Sequence, residues 1–203
     1  MSDKIIRKIA VIFVTDVVGF SKLMERNEDQ TLQSFRTCKG ILDDLFKEHR
    51  GRIFNTAGDS DLAEFPSAVS AVICAAEFQK HIRERNASVD PEAEMHFRVG
   101  LNMGDVIVEG DNLYGDGVNV AARLEALSQP DGVCLSKSIH DFVSQKVDLA
   151  FKDLGDQKVK NTVVHAFYMT LEGMAVRELQ DTCLLYTSPS PRDLSTSRMP
   201  SSA

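Results

Sequence analysis

Two aspartates stand where predicted strands end. Asp16 directly follows the apolar stretch IAVIFVT, and Asp59 follows Gly58 in NTAGDSDLAEF, at the expected tip of a hairpin. If the two strands are neighbours in one sheet, the carboxylates supply the hard oxygen ligands that Mg²⁺ prefers alongside substrate phosphates. Ordinary structure also explains each residue on its own, because Asp16 suits a helix N-cap or Asx-turn and Gly58-Asp59 is common turn chemistry.

A second candidate group lies in the stretch NLYGDGVNVAARLEAL. On a helix that begins near Val118, Asn119 and Arg123 are separated by four residues and point together along one face. An amide beside a guanidinium fork is suited to binding phosphate. The alternative is a surface arginine paired with Glu125 or another nearby acid.

The composition indicates one globular domain and argues against some partners. The chain has 203 residues, of which 43% are hydrophobic and 26% are charged, which suits a single domain with a core and a tail. The formal net charge of −7 argues against a domain that wraps nucleic acid.

The apolar run 9–14 is too short for a signal peptide, and no run approaches the roughly 18 residues of a membrane span. The four cysteines show no metal-like spacing, so a cytoplasmic location is expected.

Hydrophobic periodicity and turn residues predict an α+β fold. Helices and strands alternate along the chain, and two predicted hairpins make part of the sheet antiparallel. The predicted elements are a strand at 9–14, a helix at 31–49, a hairpin at 52–65 turning at Gly58, a helix from 66 to about 85, a hairpin turning at Gly104-Asp105, a helix at 118–127, a strand at 133–135, a helix at 138–144, and strands at 149–154 and 165–170.

The last twenty residues, LLYTSPSPRDLSTSRMPSSA, differ in composition from the rest of the chain. Half of the six prolines lie there, serine is abundant, and no apolar periodicity remains, so this stretch is not expected to pack. We therefore predict a folded domain at 1–172 and a disordered tail at 173–203, of artefactual origin or replacing a truncated C-terminus.

Four stretches together resemble the catalytic domain of the bacterial-type class III adenylate and guanylate cyclases. They are FVTDVVGFS, GRIFNTAGDS, RVGLNMGDVIVEGDNLYGDGVNVAARLEAL and DLGDQKVKN, and they follow the family's order over about residues 7–170. The resemblance implies a ferredoxin-like βαββαβ core with added strands and helices. It also implies a head-to-tail homodimer with active sites at the interface and a nucleoside triphosphate substrate.

The resemblance implies roles for the residues that match the family's motifs. Asp16 and Asp59 resemble the pair that binds two Mg²⁺ or Mn²⁺ ions, with the Val17 carbonyl as a further ligand. Asn119 resembles the residue that orients the ribose, and Arg123 the residue that stabilises the transition state.

Further positions resemble the family's substrate contacts. Lys160 resembles the lysine that holds the terminal phosphates, although Asn161 follows it where the family has glycine. Phe20 and Ser21, after the Asp16 strand, are likewise expected to contact substrate.

Two positions that select the base differ from the family pattern. Adenylate cyclases have a lysine and an aspartate where this chain has Asn55 and Asn112, and the guanylate-type Glu and Cys pair is also absent. An amide offers both a donor and an acceptor and can read either purine edge. ATP is the expected substrate, with guanylate cyclase activity as an alternative.

Asp61 is another departure, because the family has an apolar residue there. Strand alternation places Asp61 on the same side as Asp59, where it would add a third carboxylate near the metals. The alternatives are a half-buried acid that costs stability unless paired and a sequence error.

Two other functions remain open. A cyclase-like regulatory module would bind nucleotide or a partner without turnover. A metal-dependent phosphatase or polymerase-like enzyme explains the aspartates but gives no role to Asn119 and Arg123.

Overall fold

The computed structural model describes residues 5–159 and 162–171, which form one sheet and five α-helices. The elements in chain order are β1 (Ile6–Val17), α1 (Phe20–Arg26), α2 (Glu28–Glu48), β2 (Arg52–Ala57), β3 (Ser60–Phe65), α3 (Ala68–Asn86), β4 (Phe97–Glu109), β5 (Asn112–Tyr114), α4 (Asp116–Leu127), β6 (Val133–Ser136), α5 (Lys137–Val143), β7 (Ala150–Val159) and β8 (Thr162–Thr170), with a short 3₁₀ helix at Pro91–Ala93.

The first half of the chain forms the predicted ferredoxin-like unit. Strands β2, β3, β1 and β4 lie side by side in this order, each antiparallel to its neighbour. With α2 between β1 and β2 and α3 between β3 and β4, the connectivity is βαββαβ. Strands β6, β8 and β7 extend the sheet beyond β4, and β5 pairs with the end of β4. The predicted α+β class and core are therefore confirmed.

Both faces of the sheet are covered, and β1 shows how. Alternate residues of a strand point to opposite faces. Val11 and Phe13 pack with apolar residues of α2, α3 and α5, whereas Ile12 and Val14 pack with Ala121 of α4. A strand buried on both faces has a continuous apolar sequence, which explains the run that made β1 predictable.

Helix α2 confirms the helix predicted at 31–49, but it begins earlier. The Asn27 side chain accepts a hydrogen bond from the Gln30 N–H at 3.1 Å, and acidic Glu28 and Asp29 occupy the first turn. An N-cap and early negative charge both stabilise a helix N-terminus.

The predicted hairpin turning at Gly104-Asp105 is wrong. Strand β4 continues through this dipeptide, because it pairs with the whole length of β1. Gly104 serves close packing, since a Cβ there would lie 3.2 Å from Asn102 Nδ2 and 3.4 Å from Gly117 Cα. The turn comes later, at Gly110, whose φ of 58° favours glycine.

Smaller differences concern element ends. The sequence does not predict α1. This helix follows Gly19, whose backbone is in the left-handed conformation. Helix α4 begins two residues before the predicted 118, and β1, β7 and β8 are longer than expected. The predicted tail at 173–203 lies outside the described residues. Among the residues that are described, no helix is both long and apolar enough to cross a bilayer.

Candidate active site

The end of β1 and the β2–β3 turn carry the two aspartates expected to bind metal. Because β3 pairs antiparallel with β1, the turn that precedes β3 lies beside the last residues of β1. Ser60 Oγ donates a hydrogen bond to Asp16 Oδ1 at 2.5 Å, and the Val17 N–H donates to Asp59 Oδ2 at 3.2 Å. The fold therefore brings Asp16 and Asp59 together from positions 43 residues apart in the sequence.

The surroundings of Asp59 disfavour its negative charge. Burial raises the pKa of its carboxyl, and the neighbouring charge of Asp16 raises it further. Hydrogen bonds from the backbone N–H groups of Asp59 and Val17 oppose this effect without cancelling it. A cation placed between the two carboxylates would relieve their repulsion.

Arg98 links this aspartate pair to helix α4. It lies opposite Asp16 in the β1–β4 register, and its Nη2 donates to Asp16 Oδ2 at 2.9 Å. Its Nε lies 2.8 Å from Glu125 Oε1. The Glu125 side chain is only 10% exposed, so the guanidinium joins a strand carboxylate to a buried helix carboxylate.

Negative charge exceeds positive charge in this group. Burial raises the pKa of Glu125 to about 7, and the charges of Asp16 and Asp59 contribute to the increase, while Arg98 lowers it. Two carboxylates, those of Asp16 and Glu125, thus contact one guanidinium, and a third, that of Asp59, lies beside Asp16.

Asp61 lies elsewhere, and the prediction that it shares a side with Asp59 is wrong. Its carboxylate is 2.5 Å from Lys39 Nζ of α2 and accepts a hydrogen bond from Thr56 Oγ1 at 2.8 Å. Strand alternation does not extend to Asp59, because that residue belongs to the turn before β3. Asp61 instead shares its face with Ala63, which packs in the core beneath α2 and α3.

Arg123 is not brought to the aspartates within one chain. Its Nη1 donates to Thr162 Oγ1 of β8 at 2.5 Å. Two strands, β4 and β6, separate β8 from β1, which puts β1 and β8 about 14 Å apart at the usual strand spacing. The alternative pairing of Arg123 with Glu125 is wrong, since Glu125 contacts Arg98. Asn119, one turn earlier on α4, is exposed.

The two asparagines expected to contact the base lie on neighbouring elements. Asn55 is exposed on the edge strand β2, and Asn112 is the partly exposed first residue of β5. Arg52 Nη1 donates to the Asp111 carbonyl at 2.7 Å, which ties β2 to the β4–β5 turn. Both residues therefore lie on strands that contact each other.

The remaining predicted contacts have different positions. The Phe20 ring packs against Phe35 with a centroid distance of 5.3 Å and is partly buried. Ser21 is exposed in the first turn of α1. Lys160 and Asn161 lie outside the described residues.

Sequence reasoning missed Ser60, Arg98 and Glu125. Ser60 is adjacent to Asp59 in GDS and is therefore near the site by position alone. Arg98 and Glu125 required the β1–β4 register and the packing of α4. The signal for Arg98 was a cation on the strand that pairs with β1, but its distance of 82 residues from Asp16 hides the contact.

Proteins similar in sequence to this chain include cyclases. A protein of Rhizobium meliloti (strain 1021), named provisionally as adenylate cyclase 3, is 44% identical over 160 residues, which cover 78% of this chain and 27% of that protein. An adenylate cyclase of Streptomyces coelicolor (strain ATCC BAA-471 / A3(2) / M145) is 32% identical over 131 residues, covering 63% and 32% of the two chains. The matched part thus spans only 27% to 32% of these curated relatives.

Solved structures and a family model extend the comparison. The crystal structure of an adenylate/guanylate cyclase/hydrolase from Silicibacter pomeroyi has a TM-score of 0.76 and 36% identity, covering 82% of this chain and 98% of that one. The adenylyl cyclase CyaB from P. aeruginosa, with a TM-score of 0.71, 22% identity and coverage of 82% and 96%, shares the fold. The family model for the adenylate and guanylate cyclase catalytic domain matches residues 1–172. The chain therefore belongs to the adenylate and guanylate cyclase catalytic domain family.

Proposed function

We propose that this domain is a nucleotidyl cyclase that converts ATP to 3′,5′-cyclic AMP and pyrophosphate. The observation that carries the proposal is the convergence of Asp16 and Asp59 at the end of β1. Together with Glu125 they form a group in which, among the described residues, three carboxylates accompany one cation, Arg98. Such a group suits divalent cations that arrive with a triphosphate.

The donor set fits two Mg²⁺ or Mn²⁺ ions. Asp16, Asp59 and the Val17 carbonyl offer hard oxygen atoms, and burial together with the charge of Asp16 raises the pKa of Asp59. When bound there, the ions lower the pKa of the ribose 3′-hydroxyl and neutralise charge on the phosphates. Ser60 and Arg98 hold Asp16 in place through its two oxygens.

The other residues bind and orient the nucleotide in this proposal. Asn119 orients the ribose, and Lys160 with the backbone of Phe20 and Ser21 holds the phosphates. The 3′-oxygen bonds to the α-phosphorus in line while the bond to the leaving pyrophosphate breaks, and the hydroxyl proton passes to solvent. Arg123 stabilises the negative charge that develops on the α-phosphoryl group.

A head-to-tail homodimer completes the site in this proposal. Arg123 is directed to β8, about 14 Å across the sheet from β1, so one chain supplies the aspartates and its partner supplies Asn119 and Arg123. Each dimer then contains two equivalent sites.

Mixing two inactive variants tests the shared site. Asp16→Ala and Arg123→Ala should each lose cyclic nucleotide formation while remaining folded. In a re-equilibrated mixture, half of the dimers are mixed and each carries one intact site, so about a quarter of wild-type activity should return. Absence of rescue would contradict the shared site. A wild type that forms no cyclic nucleotide from ATP or GTP would contradict the cyclase itself and favour a regulatory module.

ATP is the proposed substrate, with Asn55 and Asn112 reading the purine. Both amides can donate and accept hydrogen bonds, and both lie near one sheet edge. The test is kcat/KM for ATP and for GTP with Mn²⁺, in the wild type and in Asn55→Lys. The lysine should increase selectivity for ATP, and a wild-type preference for GTP would reverse the assignment.

We also propose that the domain works in the cytoplasm. Cys38, Cys74 and Cys134 are buried free thiols, which suits a reducing compartment. Fractionation of the native host, with detection of the full protein, would test this assignment.

A further inference from the structure

Helix α4 lies very close to strand β4. A Cβ on Gly100 would be 2.2 Å from both the Ala121 carbonyl oxygen and the Glu125 nitrogen, so a larger residue would displace the helix. Gly100 is two residues from Arg98 and shares its face of the sheet. The close approach therefore brings the last turn of α4 beside the Arg98 guanidinium.

The same strand holds the beginning of α4. Asn102 is 5% exposed, and its Nδ2 donates to the Gly117 carbonyl at 2.9 Å. Arg98, Gly100 and Asn102 alternate along one face of β4 and contact the helix from its last turn to its first. Of these three residues, only Arg98 also contacts a candidate metal ligand, because its Nη2 donates a hydrogen bond to Asp16.

We propose that Glu125 is a positioning residue for the metal site, which acts by holding the Arg98 guanidinium in an orientation that leaves Asp16 available to a divalent cation. This inference rests on the proposed cyclase function, because it assigns Asp16 to metal binding. A residue of helix α4 thus helps to position the aspartates, which lie on β1 and in the β2–β3 turn.

The geometry explains why the orientation matters. Arg98 uses its Nε side for Glu125, at 2.8 Å, and one Nη2 donor for Asp16, at 2.9 Å. Within the described part of the chain, neither Arg98 Nε nor Glu125 Oε1 makes a hydrogen bond, so their 2.8 Å contact is an ion pair. Without the Glu125 carboxylate, the guanidinium can rotate and take both oxygens of Asp16 in a bidentate pair. That pair competes with a divalent cation for the same carboxylate.

Mn²⁺ binding to Glu125→Gln tests the proposal. Free Mn²⁺ is measured by electron paramagnetic resonance during titration of the purified full chain without nucleotide, at a pH well above the Glu125 pKa of about 7. Loss of a residue that orients a metal ligand should weaken Mn²⁺ binding about 10-fold. The Mn²⁺ concentration for half-maximal cyclisation should rise similarly, while kcat at saturating Mn²⁺ is largely retained.

Further variants distinguish the effect of the Glu125 carboxylate's position from the effect of its charge and from a general loss of stability. Glu125→Asp keeps the charge but withdraws the carboxylate, so it should also weaken Mn²⁺ binding, and it replaces Glu125→Gln if that variant does not fold. In an Arg98→Met background, Glu125→Gln should cause no further loss. Glu84→Gln, in an exposed pair with Lys80, is the matched control and should bind Mn²⁺ as the wild type does.

The outcomes are distinguishable. Unchanged Mn²⁺ affinity in both Glu125 variants, or an equal loss in the Arg98→Met background, would overturn the role of Glu125 while leaving the cyclase assignment intact. A wild type that neither binds Mn²⁺ nor forms cyclic nucleotide would overturn the proposed function and this inference with it.

Discussion

The β1–β3 strand pair carries acidic residues on both faces of the sheet, and their charge balance differs. On the face beneath α2, Asp61 is matched by one ammonium group, that of Lys39 at 2.5 Å, and by the Thr56 hydroxyl at 2.8 Å. Its side chain is only 3% exposed. This carboxylate has the partners that a buried charge requires, so it needs no additional cation.

At the end of β1, on the side of α4, the balance is different. Asp16 and Glu125 both contact the Arg98 guanidinium, and Asp59 lies beside Asp16. Burial, and then the charge of Asp16, raise the pKa values of Asp59 and Glu125. Two carboxylates that are close in sequence, Asp59 and Asp61, thus have different partners. The excess of negative charge, and not the number of acids in a motif, distinguishes the candidate metal site from a structural ion pair.

Removing Asp16 should have the largest effect on activity. Asp16→Asn removes a proposed metal ligand and should abolish cyclic nucleotide formation from ATP and Mn²⁺, measured by chromatography of the products. The metal-free melting temperature should not fall, because the change also relieves repulsion of Asp59. Asp44→Asn, at an exposed pair on α2, is the control. Retained turnover in Asp16→Asn would remove the distinction between the two acidic groups.

Removing Lys39 should have the largest effect on stability. Lys39→Met leaves the Asp61 carboxylate buried without its cation, which typically costs about 3–5 kcal/mol of unfolding free energy. Lys47→Met is the matched control on the same helix, because the pair of Lys47 with Asp44 is exposed and should contribute about 0–1 kcal/mol. Urea denaturation of both variants measures the difference. Equal losses would show that Asp61 does not depend on Lys39.

Metal binding at the aspartate pair should depend on pH. The folded-state pKa values of Asp59 and Glu125 are raised, Glu125 to about 7, so the metal-free domain loses stability as these groups ionise with rising pH. Cations bind the ionised form, so the increase in melting temperature caused by Mn²⁺ should grow from about pH 5 to about pH 8. At 100 times the dissociation constant the stabilisation should approach about 2.7 kcal/mol.

A thermal melt series with and without Mn²⁺ checks this dependence. Asp16→Asn, which lacks a proposed ligand, should lose most of the Mn²⁺-induced shift at every pH. A shift in the wild type that falls as pH rises would contradict metal binding by these carboxylates.

The sequence predicted β1 well and the middle of β4 poorly, for a physical reason. The run from Ile9 to Val14 is apolar because it is buried on both faces, and local pattern captures that. The dipeptide Gly104-Asp105 has the same composition as a hairpin turn, and only its long-range pairing with β1 keeps it extended. Local chemistry cannot reveal such pairing.

The candidate site shows the same limit. Asp16 and Asp59 are predictable, because each lies at the end of a predicted strand or at a predicted turn. Arg98 and Glu125 reach them only through the β1–β4 register and the close approach of α4 at Gly100. The placement of Asp61 was wrong for a smaller reason, since alternation was carried one residue too far into the turn.

Replacing Asp61 should have the smallest effect and therefore gives the sharpest comparison. In Asp61→Val, Lys39 is not left without a partner, because its Nζ also lies 3.1 Å from Asp43 Oδ1 and its side chain is 24% exposed. Thr56, which is exposed, can turn its hydroxyl to water. An apolar residue of similar size in place of a buried charge is often neutral or stabilising, so the change in unfolding free energy should stay within about 1 kcal/mol.

Turnover and Mn²⁺ affinity of Asp61→Val should match the wild type, since Asp61 faces α2. A large loss of Mn²⁺ affinity in Asp61→Val would mean that the two acidic groups form one site. A loss of stability as large as that of Lys39→Met would mean that Lys39 needs Asp61 as much as Asp61 needs Lys39.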